Sequence, residues 1–332
     1  MSTQSSSVLV GRHAGSILEA KGPVAAAGRA AKKTARAGAT SDGVAKMPSA
    51  GKGKSRAVKA GGGRAALTAR TADKYALYQA SVQEPDADLD FVDREYRRAF
   101  GRLPARLRED FCGTALTASR FVQRRGGNTA LGVDLDPACL AWGERNIVAG
   151  LTPDQRSRLK VMRANVLSDE ALRAGPFDAI LAFNFSYWIL QERAALVEYF
   201  RRCRGALARE GMLVLDFMAG SDVLTESTER SRKRGFTYVW EQRRYDPIGG
   251  EMTCHIGFEF PDGTSMPRAF TYTWRLWTMP EVRDVLREAG FASVETFIEG
   301  EDAKGKGTGV YVKRARGPAD RCLLAYIIAR VR

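Results

Sequence analysis

This chain is nearly without histidine: His13 and His255 are the only two in 332 residues. A metal centre or catalytic dyad built on histidine pairs is therefore nearly excluded from its folded part. The five cysteines, Cys112, Cys139, Cys203, Cys254 and Cys322, never fall at Cys-x-x-Cys spacing. That argues against a zinc site and a disulfide framework, and makes a reducing, cytoplasmic compartment the expectation. No apolar run approaches the roughly 18–20 residues a membrane helix needs, so no membrane partner is expected. Aromatic residues are missing altogether from the first 68 positions. That stretch is rich in Ala, Gly, Ser and Lys and has no sustained apolar period. It cannot bury enough surface to offset the entropy of ordering, and is expected to be a disordered tail.

The charge is unevenly placed. Residues 1–70 hold 13 Lys and Arg against Glu19 and Asp42, whereas residues 71–332 hold 39 basic and 36 acidic side chains. The net charge of +14 thus belongs to a basic tail on a nearly balanced domain. Within the tail, Ala30–Ala37 (AAKKTARA) is similar to basic segments that touch nucleic acid, so a weak nucleic-acid contact is one expectation. A solvated linker is the simpler reading of such a run. An organelle transit peptide is a third, suited by the scarcity of acids but opposed by the absence of any positive side chain in the first ten residues.

Order is expected from near Thr71. Tyr75, Leu77 and Tyr78 suit a short helix that could cover a ligand as a lid. Leu89, Val92, Tyr96 and Phe100 recur at helical spacing within Asp88–Phe100. From Leu107 to Asn146 the chain then reads strand, glycine-containing turn, helix (Leu116–Arg125), second strand (Thr129–Leu135) and second helix. Asp136-Pro137 opens that helix as N-cap and first helical residue. Further strands are expected at Leu159–Val166, Phe177–Asn184 and Met212–Met218, with a long helix over residues 190–209 stopped by Gly211. Strands alternating with helices predict an α/β doubly wound, mostly parallel sheet. Beyond Gly220 the pattern becomes aromatic and β-branched. Phe236–Tyr245, Glu251–Phe260 and Arg268–Thr278, joined by turn residues, predict a small antiparallel insertion. A helix at Pro280–Ala289 and closing strands at Ala292–Ile298 and Cys322–Val331 complete the domain, with Glu301–Pro318 as a loop.

Asp134 ends the second strand, 21 residues after Gly113. That spacing suits a βαβ unit binding a nucleoside: the turn lets the backbone approach the ligand, and the carboxylate accepts bonds from both ribose hydroxyls. The run Cys112, Gly113, Thr114, Ala115 resembles the first motif of the class I S-adenosylmethionine-dependent methyltransferases, which commonly ends Cys-Gly-Thr-Gly. Anchored on Cys-Gly-Thr, the family's leading acid falls on Glu109, beside Asp110, and its outer glycines fall on Phe111 and Ala115. The resemblance covers roughly residues 75–330. It implies a seven-stranded sheet, S-adenosyl-L-methionine as cofactor, no metal, and methyl transfer to an N or O atom of a small-molecule acceptor.

The resemblance also assigns residues. Gly113 would let the methionine portion pass, with Glu109 or Asp110 attracting its ammonium group, and Cys112 and Thr114 completing the turn. Asp134 would hold the ribose, and Leu135 would pack on the adenine. Asn165 would accept the adenine amino hydrogen and Val166 would offer a backbone N–H, though Asn165 equally reads as a turn residue. The segment Ala182–Trp188 (AFNFSYW) would place Asn184, Ser186, Tyr187 and Trp188 by the transferred methyl. It lacks the Asn/Asp-Pro-Pro-aromatic motif of enzymes that methylate nucleic-acid bases. In the antiparallel insertion His255, Glu241, Tyr272, Arg275 and Trp277 are candidates for gripping the acceptor, and Tyr187, His255 and Arg275 are the candidate catalytic residues. His255 is the one near-neutral base of the domain, although a lone histidine in a strand is more often packed or solvent-facing. Three other readings stand beside this one: methylation of RNA or protein with the tail as tether, a nicotinamide-dependent dehydrogenase, and a non-catalytic binding module. The dehydrogenase would want G-x-G-x-x-G, and the turn lacks two of those glycines.

Overall fold

A computed structural model describes residues 67–301 and 307–332. Residues 1–66, which hold nearly all of the basic segment, lie outside the described residues. At the start of the described residues Leu67 packs on the core, and the Ala69 N–H donates to Thr264 Oγ1 at 2.9 Å.

Two helices lead in, α1 (Lys74–Val82) and α2 (Pro85–Phe100). Asp73 starts α1 by accepting the Tyr75 and Ala76 N–H groups, and Pro85 starts α2, which stops at Gly101 with φ 75°. The alternating part follows: β1 (Arg106–Asp110), α3 (Leu116–Arg124), β2 (Thr129–Asp134), α4 (Pro137–Asn146), α5 (Pro153–Ser157), β3 (Leu159–Arg163), α6 (Asp169–Arg173), β4 (Phe177–Ala182), α7 (Arg193–Ala206) and β5 (Leu207–Ala219). Next come β6 (Ser227–Lys233), β7 (Phe236–Tyr245), β8 (Glu251–Glu259) and β9 (Ser265–Arg275). The helix α8 (Met279–Glu288) and strands β10 (Ser293–Glu301), β11 (Gly307–Lys313) and β12 (Leu323–Arg330) end the chain.

The main sheet has the order β11-β10-β12-β5-β4-β1-β2-β3. Its five strands from β5 to β3 run parallel, and β12, β10 and β11 are antiparallel. This is an α/β sheet of eight strands, not the seven expected. The extra strand, β11, comes from the stretch read as a loop. Its Gly and Lys content hid one alternating tooth, Tyr311, which is buried against Phe91 and Tyr326. One inward side chain is enough to hold an edge strand whose other face is wet.

Two other departures have local causes. Gly211 does not end a helix; it lies inside β5. Pairing runs from Phe177–Leu207 directly to Ala179–Met212, so residues 208–211 form a bulge, and α7 stops earlier, at Ala206. The antiparallel region is a separate four-stranded sheet, β6-β7-β8-β9. Its edge strand β6 (STERSRK) was invisible to a search for apolar alternation because it is polar on both faces, as exposed edges often are.

Apolar side chains fill both faces of the main sheet. The inner face of the second sheet, including Tyr238, Trp240, Phe270, Tyr272 and Trp274, shares one core with α1 and with the main sheet's α7 side. The second sheet and α1 therefore form a roof over the C-terminal ends of the parallel strands, where open α/β sheets bind ligands.

Candidate functional site

The turn after β1 is built from left-handed residues. Phe111, Gly113 and Ala115 have φ of 54°, 58° and 57°. Only glycine takes that region freely; an L-residue there costs roughly 1–2 kcal/mol. Phe111 and Ala115 thus hold the backbone shape that glycine would give, under strain. Contacts on each side fix it. The Cys112 N–H extends the sheet by donating to the Val133 carbonyl at 3.1 Å. Glu109 Oε2 accepts the Ala118 N–H at 2.8 Å, so this carboxylate sits on the N-terminus of α3 where the helix dipole favours it. Helix α4 presses close: a Cβ at Gly143 would lie 2.4 Å from the Thr114 carbonyl oxygen, so only glycine fits there.

Asp134 closes the turn from the next strand. It is buried, and its Oδ2 accepts the Gly113 N–H at 2.6 Å while Oδ1 accepts the Asp136 N–H at 2.9 Å. Asp110 lies on the opposite face of β1 from Glu109. Its Oδ2 takes the Arg108 guanidinium at 2.7 Å and the Tyr199 hydroxyl at 2.9 Å, whereas its buried Oδ1 has no hydrogen-bond partner. An unmatched buried acceptor costs about 1–3 kcal/mol, so this oxygen has a marked preference for a donor.

A crevice opens above this turn. Its floor is Glu109, Asp110, Phe111, Cys112, Gly113 and Thr114; Phe183, Asn184 and Ser186 form one wall and Cys139 another. Tyr75, Tyr78 and Gln83 from α1 and its end, with Phe270 from β9, form the roof. The lid is fastened at two points: Gln79 Nε2 donates to Thr114 Oγ1 at 2.7 Å, and Trp142 Nε1 donates to Asp73 at 2.6 Å. Burial pushes the Tyr75 hydroxyl up to about 12 and that of Tyr78 well above the ordinary tyrosine value. Both therefore stay protonated at neutral pH.

Six of the residues expected at a cofactor line the crevice together: Glu109, Asp110, Cys112, Gly113, Thr114 and Asn184. Asp134 supports its floor from beneath. Leu135 follows it, half-buried. Asn165 is used locally: its Oδ1 accepts the Leu167 N–H at 2.9 Å, the turn alternative seen in the sequence. Val166 is buried in the core.

The three candidate catalytic residues do not line the crevice. Tyr187 is fully buried with its hydroxyl donated to the Asp216 carbonyl at 3.0 Å. His255 alternates with the inward residues Cys254 and Ile256, so it faces away from the core, bonded to Thr271 Oγ1 at 2.9 Å. Desolvation, aided by Arg268, lowers its pKa. Arg275 also points outward; it stacks on Trp277 at 3.8 Å and donates to the Gln191 carbonyl and to Glu281. Gln79, Gln83, Cys139, Phe183 and Phe270 were not singled out by the sequence. The first two had a signal, since Tyr75, Gln79 and Gln83 recur every four residues along one helical stripe.

Solved structures with this architecture are numerous. A S-adenosylmethionine-dependent methyltransferase from Clostridium acetobutylicum superposes with a TM-score of 0.56 at 15% identity, covering 76% of this chain and 97% of that one. The CcbJ methyltransferase from Streptomyces caelestis gives 0.54 at 16% identity, covering 76% and 92%. The sugar N-methyltransferase KedS8 from Streptoalloteichus gives 0.51 at 20% identity, covering 84% and 100%. No protein-family model and no curated protein matches the sequence. At these identities the likeness establishes the fold: the chain folds as the class I S-adenosylmethionine-dependent methyltransferases do, with a four-stranded antiparallel sheet inserted after β5.

Proposed function

We propose that this protein is an enzyme that transfers a methyl group from S-adenosylmethionine to a nitrogen or oxygen of a small-molecule acceptor. The observation that carries the reading is the strained turn from Phe111 to Ala115, locked to the Asp134 carboxylate at the C-terminal edge of a parallel sheet. S-adenosylmethionine has an ammonium group, a sulfonium and a ribose diol, and the residues present fit each. The unmatched Oδ1 of Asp110 suits the ammonium. Glu109 lies in the floor beneath the place of the sulfonium. Asp134, at the end of β2, braces from beneath the floor over which the diol would lie. The names of similarly folded proteins, a sugar N-methyltransferase among them, are consistent with a small acceptor.

When bound, the cofactor would supply an electrophilic methyl carbon, attacked in line by the acceptor lone pair as the carbon–sulfur bond breaks and the thioether leaves. The protein's part is chiefly placement and exclusion of water, and holding reactants in line is worth roughly 7–11 kcal/mol. Helix α1 and Phe270 close the crevice from above. The Asn184 wall sets the direction from which an acceptor approaches. Neither a metal nor a covalent nucleophile is needed. Cys112 is buried and has no histidine beside it, so it serves as a packing residue.

The test is calorimetric titration with S-adenosylhomocysteine and with NADH. Micromolar binding of the first and none of the second is expected. Absence of S-adenosylhomocysteine binding at millimolar concentration would end the reading in favour of a non-catalytic module.

A further inference from the structure

At the crevice floor, β1 and α7 assemble a buried ionic cluster from two local periods. Arg108 and Asp110 stand two apart on β1 and so share a face, opposite Glu109. Tyr199 and Cys203 stand four apart on α7 and so share a stripe. The four side chains meet with no more than 1% of any of these residues exposed.

Asp110 is the centre of the cluster. Its Oδ2 accepts the Arg108 guanidinium at 2.7 Å, the Tyr199 hydroxyl at 2.9 Å and, more weakly, the Cys203 thiol at 3.8 Å. Arg108 is anchored in turn on the Ala171 carbonyl at 3.1 Å. Burial pushes the Tyr199 hydroxyl and the Cys203 thiol well up, so both stay protonated and remain donors. A carboxylate oxygen has about two acceptor sites. Oδ2 is therefore full, while the equally buried Oδ1 has no partner. Asp110 lines the crevice, and so does Gln83, whose buried Oε1 also has no partner. One unmatched acceptor thus stands in the floor and one in the roof.

The cluster is a poor source of stability, because a buried ion pair replaced by apolar side chains of similar volume is often neutral or better. Its value lies in the orientation it fixes. We infer that Arg108 and Tyr199 are positioning residues: by filling Oδ2 they leave Oδ1 for the crevice, where it and Gln83 Oε1 receive the α-ammonium group of S-adenosylmethionine. The inference rests on the methyl-transfer reading above. An ammonium suits two separate acceptors because it offers three N–H donors from one atom, and a charged donor bonds a carboxylate more strongly than a neutral one. Arg108 offsets the charge of Asp110, so recognition depends on where Oδ1 points and not on long-range attraction. The Tyr199 ring also stands 5.8 Å from that of Phe111. Tyr199→Phe keeps this contact and removes only the hydroxyl.

The experiment is calorimetric titration of the full chain with S-adenosylhomocysteine and with its deamino analogue, in which hydrogen replaces the α-ammonium. The wild-type protein should bind S-adenosylhomocysteine roughly tenfold or more tighter, as expected of a hydrogen bond to a charged group. Asp110→Asn should bring that ratio to about one. Its amide oxygen must face Arg108 and Tyr199, which turns the NH2 donor to the crevice. Tyr199→Phe should cut the ratio about threefold and leave the affinity for the deamino analogue unchanged. A merely structural role would lower both affinities together and leave the ratio intact. Should Asp110→Asn fail to fold, Gln83→Leu, which strands no charge, should also cut the ratio about threefold. Equal wild-type affinity for the two analogues, a ratio unchanged in any folded variant, or parallel losses for both analogues would overturn the inference. An ammonium carried by the methyl acceptor instead would give the first of these. Failure of both analogues to bind would sink the methyl-transfer reading itself, and this inference with it.

Discussion

The parallel half of the main sheet and the four-stranded antiparallel sheet both carry residues with chemical potential, but they use them differently. In the parallel half, every strand ends at the same edge. Glu109, Asp110, Asp134 and Asn184, far apart in sequence, therefore meet around one turn. In the antiparallel sheet the period of two sorts neighbours onto opposite faces. Phe270, Tyr272 and Trp274 go inward to the roof and core, while His255 and Arg275 go outward, away from the crevice. The difference teaches that residue type names a candidate, and that the face on which it lands decides whether it is one.

The largest effect expected from this contrast is at Asp134. Asp134→Ala leaves the Gly113 and Asp136 N–H groups without their partner. It should weaken S-adenosylhomocysteine binding by about 1–3 kcal/mol, or roughly five- to 150-fold by calorimetry. An unchanged dissociation constant would remove Asp134 from the site. Gly143→Ala comes next. The new Cβ meets backbone, not a flexible side chain, so α4 or the turn must shift. A loss of about 1–3 kcal/mol in denaturant unfolding is expected, together with weaker S-adenosylhomocysteine binding. Wild-type stability with wild-type affinity would show that the turn is not braced by α4.

A smaller effect concerns pH. The folded-state pKa of Asp216, about 8, lies above the ordinary aspartate value of 3.8. The neutral carboxyl is therefore the form that folding favours. Its stability contribution is fully present below about pH 4 and is lost as pH rises toward and through 8. The melting temperature should fall between pH 6 and pH 9, and Asp216→Asn should flatten that fall. A parallel slope in the variant would assign the pH dependence elsewhere. The smallest effect belongs to the outward face: His255→Ala should change S-adenosylhomocysteine affinity by less than twofold. A tenfold loss would bring the antiparallel sheet's outer face into the site after all.

The elements that sequence reading located well are those with a strong local code. Asp136-Pro137 gave the start of α4, and Phe177–Ala182 is a buried strand, as its apolar pattern implies. The elements it missed have a weak one. Strand β6 alternates nothing apolar, and β11 depends on Tyr311 finding Phe91 and Tyr326 across the chain. For the site, the turn and its following acid were legible because their spacing is a property of one βαβ unit. Asp216 was not, because an aspartate inside an apolar strand gains its meaning only from the Asn184 and Phe185 N–H groups that a neighbouring strand delivers.

By itself, the order of residues determined that a nucleoside-sized turn would follow β1 with a carboxylate one strand later, since both the 3.6 and 2.0 periods and the spacing from Gly113 to Asp134 are local quantities. Tertiary structure alone decided which side chains close over that turn and which side chain of α7 holds Asp110. Those contacts join α1, β1, α7 and β9, and no local period carries the distance between them.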